Sequence, residues 1–257
     1  MNNPNNELPR LHGTVAARLR PHAVSGTMRS LPQDWFRTDA WDDEAKVEFE
    51  RRLGRASVTK RPQYLRIKGL ALAAANQHDA ARALWLRVLR EYPTDLDVSA
   101  ATEHLADMER RLGAKETSER YYRQLLQQSP TLNATSGMAE VSLAELLIDR
   151  GDERSRSEAL TLLDSALHRR QLLPDELFRW HVALARAALD MGDVETQQRA
   201  ARTALRLAEK ATGPFPRHPT VGVVQADEGA IGWLEEVAAG SDTRHPPTAR
   251  RRWLRKS

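Results

Sequence analysis

Apolar residues recur at helical spacing along most of the chain between residues 61 and 212. From Val98 to Leu112 they follow one another at steps of three, four, three and four, and Gly113 ends the stretch. This spacing places the apolar side chains on one face of an α-helix. Further stretches show the same pattern, so the sequence predicts eight amphipathic helices that pair as four hairpins.

The breaks between these helices recur at a nearly constant distance. They fall at residues 76, 113, 151 and 192, which are 37, 38 and 41 residues apart. In the break Gly151-Asp152, the glycine can take a left-handed conformation that ends one helix, and the aspartate oxygen can accept the N–H groups that open the next. Two-helix units at such a period indicate stacked repeats, because a single hairpin cannot bury its apolar face alone. The sequence therefore predicts an all-α fold, an α-solenoid of about four helix-turn-helix repeats.

The repeats resemble the tetratricopeptide repeat (TPR) family, whose unit has about 34 residues. The resemblance covers about residues 61–212; it is strong in the first unit, residues 62–95, and degenerate in the later ones. In the first unit the family's Gly, Tyr, Ala, Phe and Pro places are taken by Gly69, Leu72, Ala81, Trp85 and Pro93. Ser118 and Gln197 stand where later units of the family usually have Ala. The resemblance implies a non-catalytic scaffold or adaptor for protein–protein interaction.

The resemblance also implies a binding site, because the first helices of successive TPR repeats line a concave groove that reads a partner peptide or helix. The groove-facing positions are predicted to be Gln63, Arg66, Glu103, Asp107, Arg110, Glu145, Arg179 and Arg186. Their charges alternate, which suits a partner of mixed charge better than a clamp for a terminal carboxylate. The alternative is a solvated face whose charges form local ion pairs.

Composition shifts divide the chain into five segments. They are a disordered N-terminal arm (1–33), a lead-in helix (34–60), the TPR-like repeats (61–212), a loop with a capping helix (213–240) and a basic disordered tail (241–257). Trp35, Phe36 and Trp41 are expected to cover the exposed end of the core. A last helix around Trp233 is expected to cover the other end, since terminal repeats need a cap.

Composition excludes several classes of protein. The 257 residues include no Cys, which removes disulfides, thiol nucleophiles, Cys-ligated zinc and iron–sulfur clusters. A mean hydropathy of −0.60 with 29% charged residues leaves no stretch apolar enough to cross a bilayer. No phosphate-binding loop, nucleophile elbow or zinc-binding helix motif occurs. We therefore expect no enzyme, no cofactor, no metal and no membrane partner, and a cytoplasmic protein, since no secretion signal is visible.

One histidine has acidic neighbours, a combination found in metal sites and proton-transfer sites. Glu103, His104 and Asp107 lie within one turn of a predicted helix, and His and carboxylates are metal ligands and proton carriers. Only two of the three can comfortably share a helix face. We therefore do not expect a metal or proton-transfer site here, and we expect packing or turn roles for His181 and His218.

The basic charge of the protein is concentrated in the tail. Of 39 Lys and Arg and 35 Asp and Glu, residues 241–257 hold six basic residues and one acid, so the first 240 residues have 33 and 34, a net charge of −1. Phosphate contacts and base stacking are possible for Arg250, Arg251, Arg252, Trp253, Arg255 and Lys256. The alternative function is therefore a nucleic-acid-associated protein whose affinity comes from this tail.

Overall fold

The chain folds into ten α-helices in the part that the structure, a computed structural model, describes, residues 34–210 and 212–241. The helices are α1 (Asp43–Arg55), α2 (Arg61–Ala74), α3 (His78–Glu91), α4 (Asp97–Leu112), α5 (Lys115–Gln128), α6 (Ala139–Arg150), α7 (Glu153–Arg169), α8 (Pro174–Met191), α9 (Val194–Ala208) and α10 (Glu228–Ala238). A short 3-10 turn, Val58–Lys60, precedes α2. No strand occurs in these two ranges. The predicted all-α solenoid is confirmed; the predicted arm 1–33 and the residues from 242 onward lie outside the described ranges.

The helices form four antiparallel hairpins, α2–α3, α4–α5, α6–α7 and α8–α9, which stack in chain order. The first helices of neighbouring hairpins pack directly on each other at two of the three junctions, α2 on α4 and α6 on α8. At the middle junction the backbones of α4 and α6 approach each other much less. At this junction the contact between the hairpins is made mainly by α5 and α6.

Three clusters of buried apolar side chains follow the array. The first lies between α1 and α4, the second surrounds α6, and the third lies between α8, α9 and α10. Every residue of α6 from Ala139 to Ile148 is buried, so this helix is covered on all sides. The middle of the molecule is therefore built around α6.

Glycine and tryptophan determine how closely the first hairpin packs. Gly69 of α2 faces Trp85 of α3, and a Cβ at Gly69 would overlap the indole ring. The fully buried indole donates its Nε1–H to the carbonyl oxygen of Arg66, at 3.1 Å. The small residue that the TPR pattern places here is thus required by the close approach of the two helices.

Left-handed glycines end the first helices of the later hairpins, as the sequence predicts. Gly113, Gly151 and Gly192 have φ angles of 84°, 80° and 71°. In the third turn, Asp152 accepts the backbone N–H of Ser155 at 2.9 Å. The prediction that glycine ends one helix and aspartate caps the start of the next is confirmed at this turn.

A buried lysine fixes the segment that leads into α1. Lys68, in α2, is only 2% exposed. Its Nζ donates to the carbonyl oxygens of Thr38 at 2.6 Å and of Ala40 at 2.9 Å. Burial lowers the pKa of Lys68, an effect that the nearby charge of Asp39 partly offsets. These bonds hold the chain before α1 against α2.

Both ends of the array are covered as expected. At the N-terminal end, Trp35, Phe36 and Trp41 pack with the first core cluster, and Trp35 stacks edge-on against Tyr64. At the other end, α10 packs on α9 and buries Trp233 in the third cluster. The aromatic residues near the N-terminus therefore serve as core.

We predict that Gly69→Ala destabilises the protein by about 2 kcal/mol or more, because the added methyl group forces the indole of Trp85 out of place. The matched control is Gly232→Ala in α10, where nothing lies within 4 Å of the added carbon. That change should be neutral or stabilise by up to about 1 kcal/mol, since Ala favours a helix interior over Gly. Urea unfolding followed by circular dichroism measures both. Equal effects of the two substitutions would contradict the proposed packing constraint.

Candidate partner-binding groove

The inner face of the array is formed by the first helices α2, α4, α6 and α8. On α4, Glu103, Asp107 and Arg110 lie at i, i+4 and i+7 and so share one side of the helix. Arg110 reaches Glu145 of α6, which also binds Arg179 of α8. This side of α4 therefore faces the first helices that follow, which defines the inner face.

Glu145 lies at the centre of this face between two arginines. Arg179 donates to its carboxylate from Nε at 2.7 Å and from Nη2 at 2.6 Å, and Arg110 Nη2 lies 2.6 Å from Oε2. Burial by itself would raise the pKa of Glu145, but the charges of Arg179 and Arg110 outweigh it and lower the pKa to about 2. One carboxylate thus links three successive first helices.

The second arginine and its neighbours form a wider polar network. Arg179 Nη2 also donates to Ser142 Oγ at 2.8 Å. Asp107 accepts a short hydrogen bond from the hydroxyl of Tyr122, which reaches it from α5. Burial and the charge of Asp107 raise the pKa of Tyr122, so the phenol stays protonated and remains a donor.

Two further ion pairs extend the pattern toward both ends of the groove. Arg66 of α2 pairs with Asp97 at the start of α4, and Arg186 of α8 pairs with Asp149 of α6. Gln63 lies one turn before Arg66 and is half-buried. The four arginine side chains of this face are between 21% and 31% exposed; they are Arg66, Arg110, Arg179 and Arg186. The arginines can therefore be reached from outside although they are paired.

Glu103 differs from the other predicted groove residues because a loop covers it. The residue is 4% exposed, and its carboxylate accepts the backbone N–H of Ser136 at 2.8 Å and the Ser136 hydroxyl at 2.6 Å. Burial raises the pKa of Glu103, and the two bonds from Ser136 offset part of that effect. This carboxylate already has the donors that a partner could otherwise supply.

The sequence pattern did not reveal which residues pair with the predicted groove side chains. Asp149 lies four residues after Glu145 on the same side of α6, so the helical register could have found it. Asp97 and Tyr122 pair across helices, and Ser136 lies in a loop. No spacing rule within one helix reports such contacts.

Two histidines, His104 and His181, lie against tryptophan rings. The ring of His104 lies 5.4 Å from that of Trp85, and burial, with the nearby charge of Arg66, lowers its pKa to about 4. His181 lies edge-on against Trp180 and, mainly through burial, also has a pKa of about 4. Within residues 34–210 and 212–241, no group of three potential ligands is placed to hold a metal ion.

No model of a protein family matches the chain, and no curated protein matches it. Among solved structures, it is similar to a thermophilic TPR protein of Thermus thermophilus, with 19% identity and a TM-score of 0.48 over 70% of this chain and 83% of that one.

The array is TPR-like. The predicted resemblance is confirmed at the level of architecture by the stacked hairpins and by the Gly69–Trp85 contact. The likeness to a solved structure is too low to add an argument about function. In the described part of the chain, none of the helices has the length and apolar character needed to span a membrane.

The central carboxylate generates a stability prediction. Glu145→Gln removes the buried counter-charge that two part-exposed guanidinium groups share, so we expect a loss of about 2 kcal/mol of unfolding free energy. The control is Glu158→Gln on the outer face, where the carboxylate pairs with Arg123 and is more than a third exposed. This pair should contribute less than about 1 kcal/mol. Thermal and urea unfolding at pH 7 compare the two variants.

The same carboxylate predicts a pH dependence. The folded-state pKa of Glu145, about 2, lies below the ordinary value of 4.5, so its contribution is fully present above about pH 4.5 and is lost as the pH falls toward 2. The wild type should lose stability more steeply over this window than Glu145→Gln. Parallel curves for the two proteins between pH 4.5 and 2 would contradict the assignment.

Proposed function

We propose that this protein is a non-catalytic, cytoplasmic scaffold whose groove binds a peptide or helix of a partner protein. The observation that carries the proposal is the row of part-exposed, ion-paired arginines along the inner face, Arg66, Arg110, Arg179 and Arg186. Each is held by a carboxylate that belongs to a different first helix from its own. Groups fixed in this way lose little conformational entropy when a partner binds.

The arginines keep donors for a partner even though they are paired. A guanidinium carries five N–H donors, and Arg186 contributes its Nη2 to Asp149. The remaining donors fit the carbonyl, carboxylate or amide oxygens of a bound chain. The alternation of positive and negative groups favours a partner of mixed charge over a strongly acidic or basic one.

The test compares one groove residue with one outer residue. Arg186→Gln removes a groove cation, and Arg123→Gln removes an ion-paired arginine of the outer face. We expect about tenfold weaker partner binding for Arg186→Gln and unchanged binding for Arg123→Gln, with melting temperatures near that of the wild type. Arg110 is a poor choice because it pairs with the buried Glu145, so that a loss of binding would be confused with a loss of fold.

The measurement begins with affinity purification of the full chain and mass spectrometry of the proteins that remain after nuclease treatment. Titration calorimetry with the identified partner then gives the affinities of the wild type and both variants. Equal binding by Arg186→Gln and the wild type would move the site away from the groove.

The alternative, nucleic-acid binding through the tail, depends on charges outside the described ranges. Residues 34–241 contain 29 basic and 33 acidic residues, a net of −4, whereas residues 242–257 have six basic residues and one acid. A second purification, with a chain ending at Gly240, separates the two functions. Nucleic acid that is lost on truncation, with no protein partner in its place, would favour the alternative.

A further inference from the structure

The connection between α5 and α6 is longer than its equivalents in the array. It has ten residues, 129–138, whereas the corresponding connections have five residues between α3 and α4 and four between α7 and α8. Shorter loops connect the other hairpins, so linking two neighbouring helices does not require this length. Connections between packed helices usually have about two to eight residues, so this one is longer than usual.

The extra residues lie against the inner face. Ser136 donates its N–H and its hydroxyl to Glu103, in the same row of α4 as Asp107 and Arg110. On the other side, Arg170 donates to the carbonyl oxygen of Ser136 at 3.1 Å. The loop therefore lies on the inner face at the middle of the array, beside Glu103.

The backbone of this loop is strained. Leu132 and Ala134 have φ angles of 52° and 63°, and Gly137 follows at 76°. The left-handed conformation costs a residue with a Cβ about 1 kcal/mol or more, and such strain persists only where surrounding contacts enforce it. Besides the contacts of Ser136, the enforcing contact is the side chain of Leu132, which is buried in the second core cluster.

The loop also lies where the array is least tightly packed. It joins the hairpins on either side of the middle junction, where α4 and α6 approach each other least. Ser136 crosses this junction to Glu103, as Arg110 crosses it to Glu145. The side chain of Leu132 stays in the second core cluster, whereas the residues that follow it, 133–137, are held by polar contacts and can separate without disturbing the apolar packing of the helices.

We propose that residues 133–137, the strap, open as a unit next to the buried Leu132 and that a partner entering the groove takes the place of Ser136 at Glu103. This proposal rests on the proposed function of the groove and adds the chemistry of the partner. A buried carboxylate must keep its hydrogen bonds. The partner therefore contributes an N–H or O–H donor, as the strap does, in an extended segment that follows the inner face.

The first test measures opening in the full chain without any partner, by hydrogen exchange of the amides in the strap. We expect the strap amides to exchange faster than those of α6. Ser136→Ala removes one of the two bonds to Glu103 and should speed exchange in the strap about tenfold, leaving α6 and α8 unchanged. Ala134→Gly relieves a left-handed residue and should slow exchange.

A matched control is available in the same molecule. Ser155 also donates its hydroxyl to a carboxylate, that of Asp152, at 2.6 Å, but in the turn at the opposite end of α6 from the strap. Ser155→Ala should leave the strap amides unchanged. The proposal is overturned if the strap amides exchange at the rate of α6, or if Ser136→Ala speeds exchange equally in the strap and in the helices.

The second test uses the partner identified by affinity purification. Because opening precedes binding, Ser136→Ala should bind this partner more tightly, by up to the same factor of about ten, and Ala134→Gly more weakly. Unchanged affinity in variants with altered opening overturns the competition between strap and partner. The two proposals can fail separately. If the groove binds no partner, the proposed function is wrong, but faster exchange in the strap still supports its opening. If the strap amides exchange only by global unfolding, the opening of the strap is wrong, whatever the groove binds.

Discussion

The geometry of the inner face depends on one buried carboxylate. Glu145 joins α4, α6 and α8 through Arg110 and Arg179, at the junction where the backbones of α4 and α6 approach each other least. Apolar packing of α5 on α6 joins the hairpins at this junction, and the charged contact adds a direct link between α4 and α6. This contact is stabilising only because two guanidinium groups offset the cost of burying the carboxylate.

In the proposed function, the same contacts make the groove rigid and leave hydrogen-bond donors for a partner. A guanidinium that is held by a carboxylate has donors in fixed positions, and the pair has little net charge. Such a pair binds a partner through oriented hydrogen bonds more than through long-range electrostatic attraction. Recognition along such a face therefore selects the positions of oxygen and nitrogen atoms in the bound chain. This differs from recognition by an unpaired basic patch, where ionic strength governs affinity.

The sequence was sufficient to predict the helices, the turns and the stacked architecture because these depend on local rules. Gly113, Gly151 and Gly192 end helices where the pattern places them. The chemistry of the groove was predicted only in part. Helical register placed Glu145 and Arg179 on the inner face, but their pairing depends on the distance between helices. The contact of Ser136 with Glu103 depends on the path of an irregular loop, for which no periodicity exists.

The separation of the first two core clusters has a consequence for how the chain folds. The first cluster is complete within α1–α4, and the second is centred on α6. In a linear array each unit contacts only its neighbours, and structure can start at more than one place and spread. Here the boundary between two such regions runs along α4, which has Leu105 in the first cluster and Ala106 in the second, so the halves can gain structure separately and α4 joins them.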